Sequence, residues 1–342
     1  MTVTRSTGPN VQEKPAARRA APENPGSSRD GRPFASRHGS ARLLVVFVLL
    51  AAGISLAGYF YYQSIKENAK LEMGHTLTSV ANLKAAQIAQ WRNERLGDAR
   101  LIAATPLLRA QIQRWTREPS PAGPRDDIQA WMGALRKNFQ YASILLISAD
   151  ETQLLSVPSG QGMPDNVDQA HVRTAIRENR LVVSNLYAAD GDSVHLDLVV
   201  PIQAPDSPTA VTAALLMRVD PYVLLYSVIQ HWPDPSPTAE TLLVRREGDE
   251  ALFLNELRHR RGTAFKFKLP VIMPDLPAAM AARGMQGVIS GVDYRGVPVL
   301  AALKAIPGTD WKLVSKVDES EIYAPLQERA YLLGILVLGL VL

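Results

Sequence analysis

Six side chains in the middle of the 342-residue chain have the types and spacing of a polar binding site: Tyr141, Ser143, Arg173, Tyr187, His195 and Asp197. His195 and Asp197 are two apart in an apolar run. On a strand they share one face, while Leu196, Leu198 and Val200 share the other. A carboxylate beside an imidazole suits a cationic or hydroxylated ligand; the plainer reading is a solvated strand face. Tyr141 and Ser143 alternate in the same way and would bring two hydroxyls to one face. Tyr187, just past the neighbouring strand, could close the same pocket or simply pack. Arg173 could meet a ligand carboxylate or form a surface ion pair.

Catalysis would need more than these residues. His195 and Asp197 could serve an exported enzyme as an acid–base pair, but no nucleophile elbow or phosphate loop accompanies them. The six histidines are scattered without His-x-x-x-His spacing, and the chain has no cysteine. Asp190 and Asp192 form a lone acidic turn, more often an ordinary loop than a calcium site. Gly160, Gln161 and Gly162 are too few for a phosphate cradle. No catalytic residue, metal or cofactor is expected, and a small-molecule ligand is.

The elements that must position these groups read as α+β. Period-2 runs predict strands at 141–148 and 153–157, a helix at 167–179 capped by Asp165 or Asn166, and strands at 181–186, 194–202 and 211–219. A short helix at 222–229 leads to a proline-rich connector, 231–238. A second, smaller unit follows, with strands at 241–245, 251–254, 287–292, 297–305 and 311–317 and a helix at 278–283. Helices at 107–116 and 126–138 precede the first strand. The organisation is a lobe at 105–230, a linker at 231–238 and a lobe at 239–328.

Before all this stands residues 43–104, without a proline from Pro33 to Pro106. Residues 43–62 carry no charge and are long enough to span a bilayer. Arg29, Arg32, Arg37 and Arg42 precede them, so the N-terminus stays cytoplasmic. Residues 63–104 continue as an exported helix. Leu77, Val80, Ile88, Trp91 and Ile102 form its packing stripe, and Lys84, Gln87, Arg92 and Glu94 fall mostly elsewhere. Residues 1–42 hold eight basic and three acidic residues, a net +5, which leaves −1 for the rest of a +4 chain. That tail is expected to be disordered, and the remainder gives no reason to expect nucleic-acid binding. Residues 331–342 are wholly apolar and read as the start of a second span, in a fragment of a longer protein.

The layout resembles the double-Cache sensor domains of bacterial transmembrane receptors. Residues 82–84 (Asn82-Leu83-Lys84) with 88–99 resemble the family's signalling helix, and 183–186 with 194–202 its central strand pair. Residues 240–249 and 253–258 are similar to the start of the membrane-proximal lobe. Residues 293–300 (Asp293-Tyr294-Arg295-Gly296-Val297-Pro298-Val299-Leu300) and Pro307-Gly308-Thr309-Asp310-Trp311 are similar to its closing hairpin. The resemblance covers residues 43–342. It implies two PAS-like antiparallel lobes outside the inner membrane, a homodimer, contact with the lipid bilayer, and an output domain after residue 342. That output would be a histidine kinase or cyclic-di-GMP enzyme, with a chemotaxis receptor or a stand-alone anchored binding protein as alternatives. Amino-acid-binding members carry an Arg-x-Trp-Tyr element in the distal lobe, and this sequence has none there, so the resemblance names no ligand.

Overall fold

The computed structural model describes residues 37–117, 123–160, 162, 166–188 and 194–341. The chain divides into two compact units, Met1–Tyr59 and Phe60–Leu342. The described part of the first unit is helical, and its large apolar side chains are exposed, Leu43 at 72% and Ile54 at 68%. The helix to which it belongs, α1 (Arg37–Ala104), starts inside the segment expected to be disordered. Among the described residues α1 is one helix long and apolar enough to cross a membrane.

The second unit holds everything else. α1 stops at Ala104 because Thr105 precedes a proline that opens α2 (Pro106–Arg117), and a pre-proline residue is pushed out of the helical region. After α3 (Pro124–Phe139) come β1 (Tyr141–Ser148) and β2 (Gln153–Val157), both with the expected ends. α4 (Asn166–Glu178) follows; Asn166 is its first residue and not its cap, and Asp165 lies outside the described residues. The run 181–186 is not one strand. It gives β3 (Val182–Val183), a strandless Ser184–Leu186, and the short β4 (Tyr187–Ala188). β5 (Val194–Ala204) and β6 (Ser207–Val219) complete an antiparallel sheet of order β2-β1-β6-β5-β3, with β4 also on β5. The acidic turn at 190–192 lies outside the described residues.

After α5 (Leu225–Gln230), a second antiparallel sheet is built from β7 (Glu240–Glu247), β8 (Glu250–Phe253), β9 (Lys268–Pro270), β10 (Gly287–Val292), β11 (Pro298–Ala305) and β12 (Lys312–Asp318). Its order is β10-β11-β12-β7-β8-β9. The three-residue β9 escapes sequence reading because Lys268-Leu269-Pro270 is too short to show a period. Read from the other edge, β8-β7-β12-β11-β10 repeats the first sheet's β2-β1-β6-β5-β3, so β12 stands where β6 stands. α6 (Pro277–Ala282) covers one face of the second sheet as α4 covers one face of the first. The opposite faces of both sheets share one core that runs from Leu77 on α1 to Tyr323 on α7 (Glu319–Val341).

The packing stripe of α1 is as expected, with Leu77, Val80, Ile88, Trp91 and Ile102 all buried. Lys84 is not elsewhere. It falls at the same three- and four-residue steps, and only 3% of it is exposed. Its ammonium donates to Ile229 O at 2.6 Å and Thr241 Oγ1 at 3.0 Å, and lies 5.0 Å from the Trp232 ring centre. Burial without a carboxylate partner lowers its pKa from 10.5 to about 8. The unfolded chain therefore binds more protons between those values, and folding gains stability as pH rises through that window. Relative to Lys84→Met, the wild-type chain should gain up to about 3 kcal/mol between pH 7.5 and 10.5. Thermal unfolding of both chains across that range measures it; a pH-independent difference would refute the lysine's role.

Candidate functional site

β5 and β6 pair so that Asp197 lies opposite Arg218, and β1 and β6 pair so that Ser143 lies opposite Arg218 on its other side. Leu145, Val199 and Leu216 on the same face belong to the core under α4, so Ser143, Asp197 and Arg218 form a polar row continuing that face. Tyr141 is not in the row, which corrects the expectation that it shares a face with Ser143. A bulge between Tyr141 and Ser143 shifts the register, setting Tyr141 opposite Val219. Its ring joins the core around α1, with the Arg95 guanidinium 5.9 Å from the ring centre. There burial pushes its hydroxyl pKa up to about 12.

The centre of the row is an ion pair out of water. Asp197 is fully buried, and the Arg218 side chain is 13% exposed. Arg218 Nε donates to Asp197 Oδ1 at 3.2 Å and Nη2 to Oδ2 at 3.1 Å, the fork-on-carboxylate geometry. Tyr187 OH donates to the same Oδ2 at 2.6 Å and accepts from Arg218 Nη2 at 3.0 Å. The His195 ring stands edge-on to Tyr187 with centres 6.1 Å apart. Asp197 is therefore in a buried network and not on a solvated face, and His195 stands half-buried beside it. Beside it, the Ser143 hydroxyl is buried and has no hydrogen-bond partner among the described residues. A buried hydroxyl of this kind is satisfied by an ordered water or by a polar group of a ligand.

Arg173 is held apart from this row. It makes two bonds to the Glu151 carboxylate, at 2.9 and 2.7 Å, by the turn after β1, on the surface. Its hydrogen bonds and charge hold Glu151 below the usual carboxylate range. Sequence reading missed Arg218. The available signal was a lone charge in the apolar run 211–219, but only the sheet order shows that it meets Asp197.

The strandless stretch before Tyr187 ties this row to the second lobe. Ser184 exchanges bonds with the Asp197 backbone, its N–H donating to Asp197 O at 2.8 Å and its Oγ accepting from Asp197 N at 2.7 Å. That is why the strand breaks there: Ser184 uses its side chain where a ladder would use backbone. The next residue faces the other way. Asn185 Oδ1 accepts from Trp311 Nε1 at 2.6 Å, and its Nδ2 donates to both Asp310 oxygens. Leu186 O accepts from Arg245 Nη1 at 3.0 Å.

The second lobe repeats the first lobe's arrangement in a closed form. Lys316 on β12 is fully buried and bonds Glu240 at 2.9 Å and Asp293 at 2.8 Å. Tyr294 OH donates to Glu240 Oε2 at 3.0 Å, as Tyr187 does to Asp197. Arg295 bonds Asp293 at 2.7 Å and also reaches Asp318. Burial and the Glu240 carboxylate together push the Tyr294 hydroxyl pKa up. Both lobes thus place a basic residue on the last strand, a carboxylate on a neighbouring strand and a tyrosine hydroxyl on that carboxylate. Among the described residues, no three His, Asp or Glu side chains are grouped as a metal site.

No family model matches the chain, and no curated protein matches it. Solved structures do. The extracellular domain of the putative histidine kinase mmHK1S-Z2 superposes with a TM-score of 0.51 at 12% identity, over 74% of this chain and 99% of that one. The ligand-binding domain of the Campylobacter jejuni chemoreceptor Tlp3, in complex with L-valine, gives 0.51 at 12% identity, over 75% and 97%. At this identity the likeness is one of fold: the chain has the double-Cache fold of chemoreceptor and histidine-kinase sensor domains.

Proposed function

We propose that the unit Phe60–Leu342 is the small-molecule sensing part of a membrane-anchored receptor, outside the cytoplasm, and that its ligand binds at the Ser143–Asp197–Arg218 row. The observation that carries this reading is the unpartnered, buried Ser143 hydroxyl next to a desolvated ion pair. The fold and the exposed apolar stretch of α1 support it. Asp197 and Arg218 cancel in charge, so the site favours a hydroxylated or zwitterionic ligand over a bare cation. Such a ligand shifts signalling only by binding one arrangement of the lobes more tightly than another. In this reading the N-terminus is cytoplasmic, the receptor is a homodimer, and the output is a histidine kinase, a cyclic-di-GMP enzyme or a methyl-accepting chemotaxis module. The sensing unit itself is a binding module and not an enzyme.

The test is a thermal-shift screen of the full chain in detergent micelles against sugars, polyols, amino acids, amines and carboxylates. A ligand at a hundred times its dissociation constant stabilises by about 2.7 kcal/mol. A true hit should lose most of its shift in Ser143→Ala and Asp197→Asn and keep it in Arg173→Gln. A hit that ignores both of the first two variants would sink the site assignment.

A further inference from the structure

The junction between the lobes holds a cation that the fold does not use. Arg92 on α1 is half-buried, and among the described residues its guanidinium makes no hydrogen bond or ion pair. It lines a cleft of about 370 Å³ together with Ser184, Asn185, Gly308, Thr309 and Asp310. That volume is within the range of small-molecule sites. Arg92 Nη1 lies 3.2 Å from where a Cβ on Gly308 would stand, and Gly308 has φ +74°. A side chain there would be strained and would crowd the guanidinium, so glycine keeps this wall close to Arg92.

The other polar groups of the cleft are mostly committed. Both ends of Asn185 are bonded, to Trp311 and the Leu186 N–H on one side and to Asp310 on the other. Thr309 Oγ1 donates to Ile306 O and accepts from Trp311 N. What remains open is the guanidinium fork, with its fixed set of N–H donors, and the exposed Asp310 carboxylate. We propose that this cleft is a second ligand site, separate from the Asp197 row, that takes a small carboxylate. Arg92 grips the carboxylate through its fork, and Asp310 favours ligands that also carry an amine. The cleft joins three elements: α1, the Val183–Asn185 stretch whose Ser184 holds Asp197, and the turn before β12. A ligand here therefore couples to the first site, and the coupling is reciprocal.

Isothermal titration of the full chain in micelles, with acetate, β-alanine and methylamine at constant ionic strength, tests this. The expected order is β-alanine tighter than acetate, with methylamine weakest. Arg92→Gln should weaken β-alanine at least tenfold, Arg92→Lys should give an intermediate loss because it keeps the charge without the fork, and Arg173→Gln, which removes a surface cation held by Glu151 away from both sites, should leave the affinity within twofold. No binding of either carboxylate by the wild-type chain overturns the proposal. So does an Arg92→Gln affinity equal to wild type, and so does an equal loss in Arg173→Gln. Because the first site is read out by Ser143 and Asp197, failure here leaves that assignment standing.

Discussion

Replacing Lys316 with alanine should destabilise the chain by about 3–5 kcal/mol, the range for removing one partner of a buried ion pair. The reason is what stays behind. Glu240 and Asp293 are each 5% exposed, and Lys316 is the ammonium bonded to both. Glu240 would keep Tyr294 OH and the Arg258 N–H, and Asp293 would keep Arg295, but two carboxylates would share one desolvated space. Lys316→Met with Glu240→Gln should cost less than Lys316→Ala alone, since it removes a cation and an anion together. Urea titration of the micelle-bound chain, followed by tryptophan fluorescence, measures both, and a single-variant cost under about 1 kcal/mol would remove the network from the stability argument. The same network sets an acid limit. Burial alone would push the Asp293 carboxyl up, but its bonds to Lys316 and Arg295 outweigh that and hold it below its ordinary 3.8. A carboxyl depressed in the folded state gives stability that is present above pH 3.8 and lost as pH falls through its folded value.

Much of this fold was legible because its elements carry strong local periods. β1 and β2 were readable to the residue, and the α1 stripe from Leu77 to Ile102 follows the helical step. The double-Cache layout is legible in that order of elements and in local stretches such as residues 88–99 and 293–300. What stayed hidden depends on pairing across the chain. The bulge that turns Tyr141 away from Ser143 exists only relative to β6, and no alternation rule within β1 reveals it. Lys84 was set aside because it is charged, although its position lies on the buried stripe. Arg218 looked like an interruption in an apolar strand until the sheet order put Asp197 and Ser143 on either side of it. The break at Ser184 is a competition between a side chain and a ladder, which strand propensity does not encode.

Arg218→Ala should be the most damaging single change in the first lobe, at about 3–5 kcal/mol, because it strands a fully buried carboxylate. Tyr187 OH would still reach Asp197, but a single hydroxyl does not replace a fork. Arg173→Ala is the matched control. It removes the same kind of two-point bond to a carboxylate, but on the surface, where screening and side-chain freedom cancel most of the gain; the unfolding midpoint should stay where it is. If the two variants behave alike, burial is not what makes the Asp197 pair matter. A second readout separates stability from communication. Tyr187 is bonded to both members of the pair, and it ends the stretch whose Asn185 and Leu186 hold Trp311, Asp310 and Arg245 of the second lobe. Loss of Arg218 should therefore loosen a hairpin in the other lobe: hydrogen exchange should speed up at the Ile306 amide, which bonds Trp311 O, in the Arg218 variant and not in the Arg173 variant. Asp197→Asn with Arg218→Gln, which removes both charges and keeps polar groups at both positions, should restore most of the stability. Whether it also restores slow exchange at Ile306 distinguishes two ways the row could act on the second lobe. Recovery would mean that holding Tyr187 in place suffices; continued fast exchange would mean that the charge pair itself is the element the lobes share.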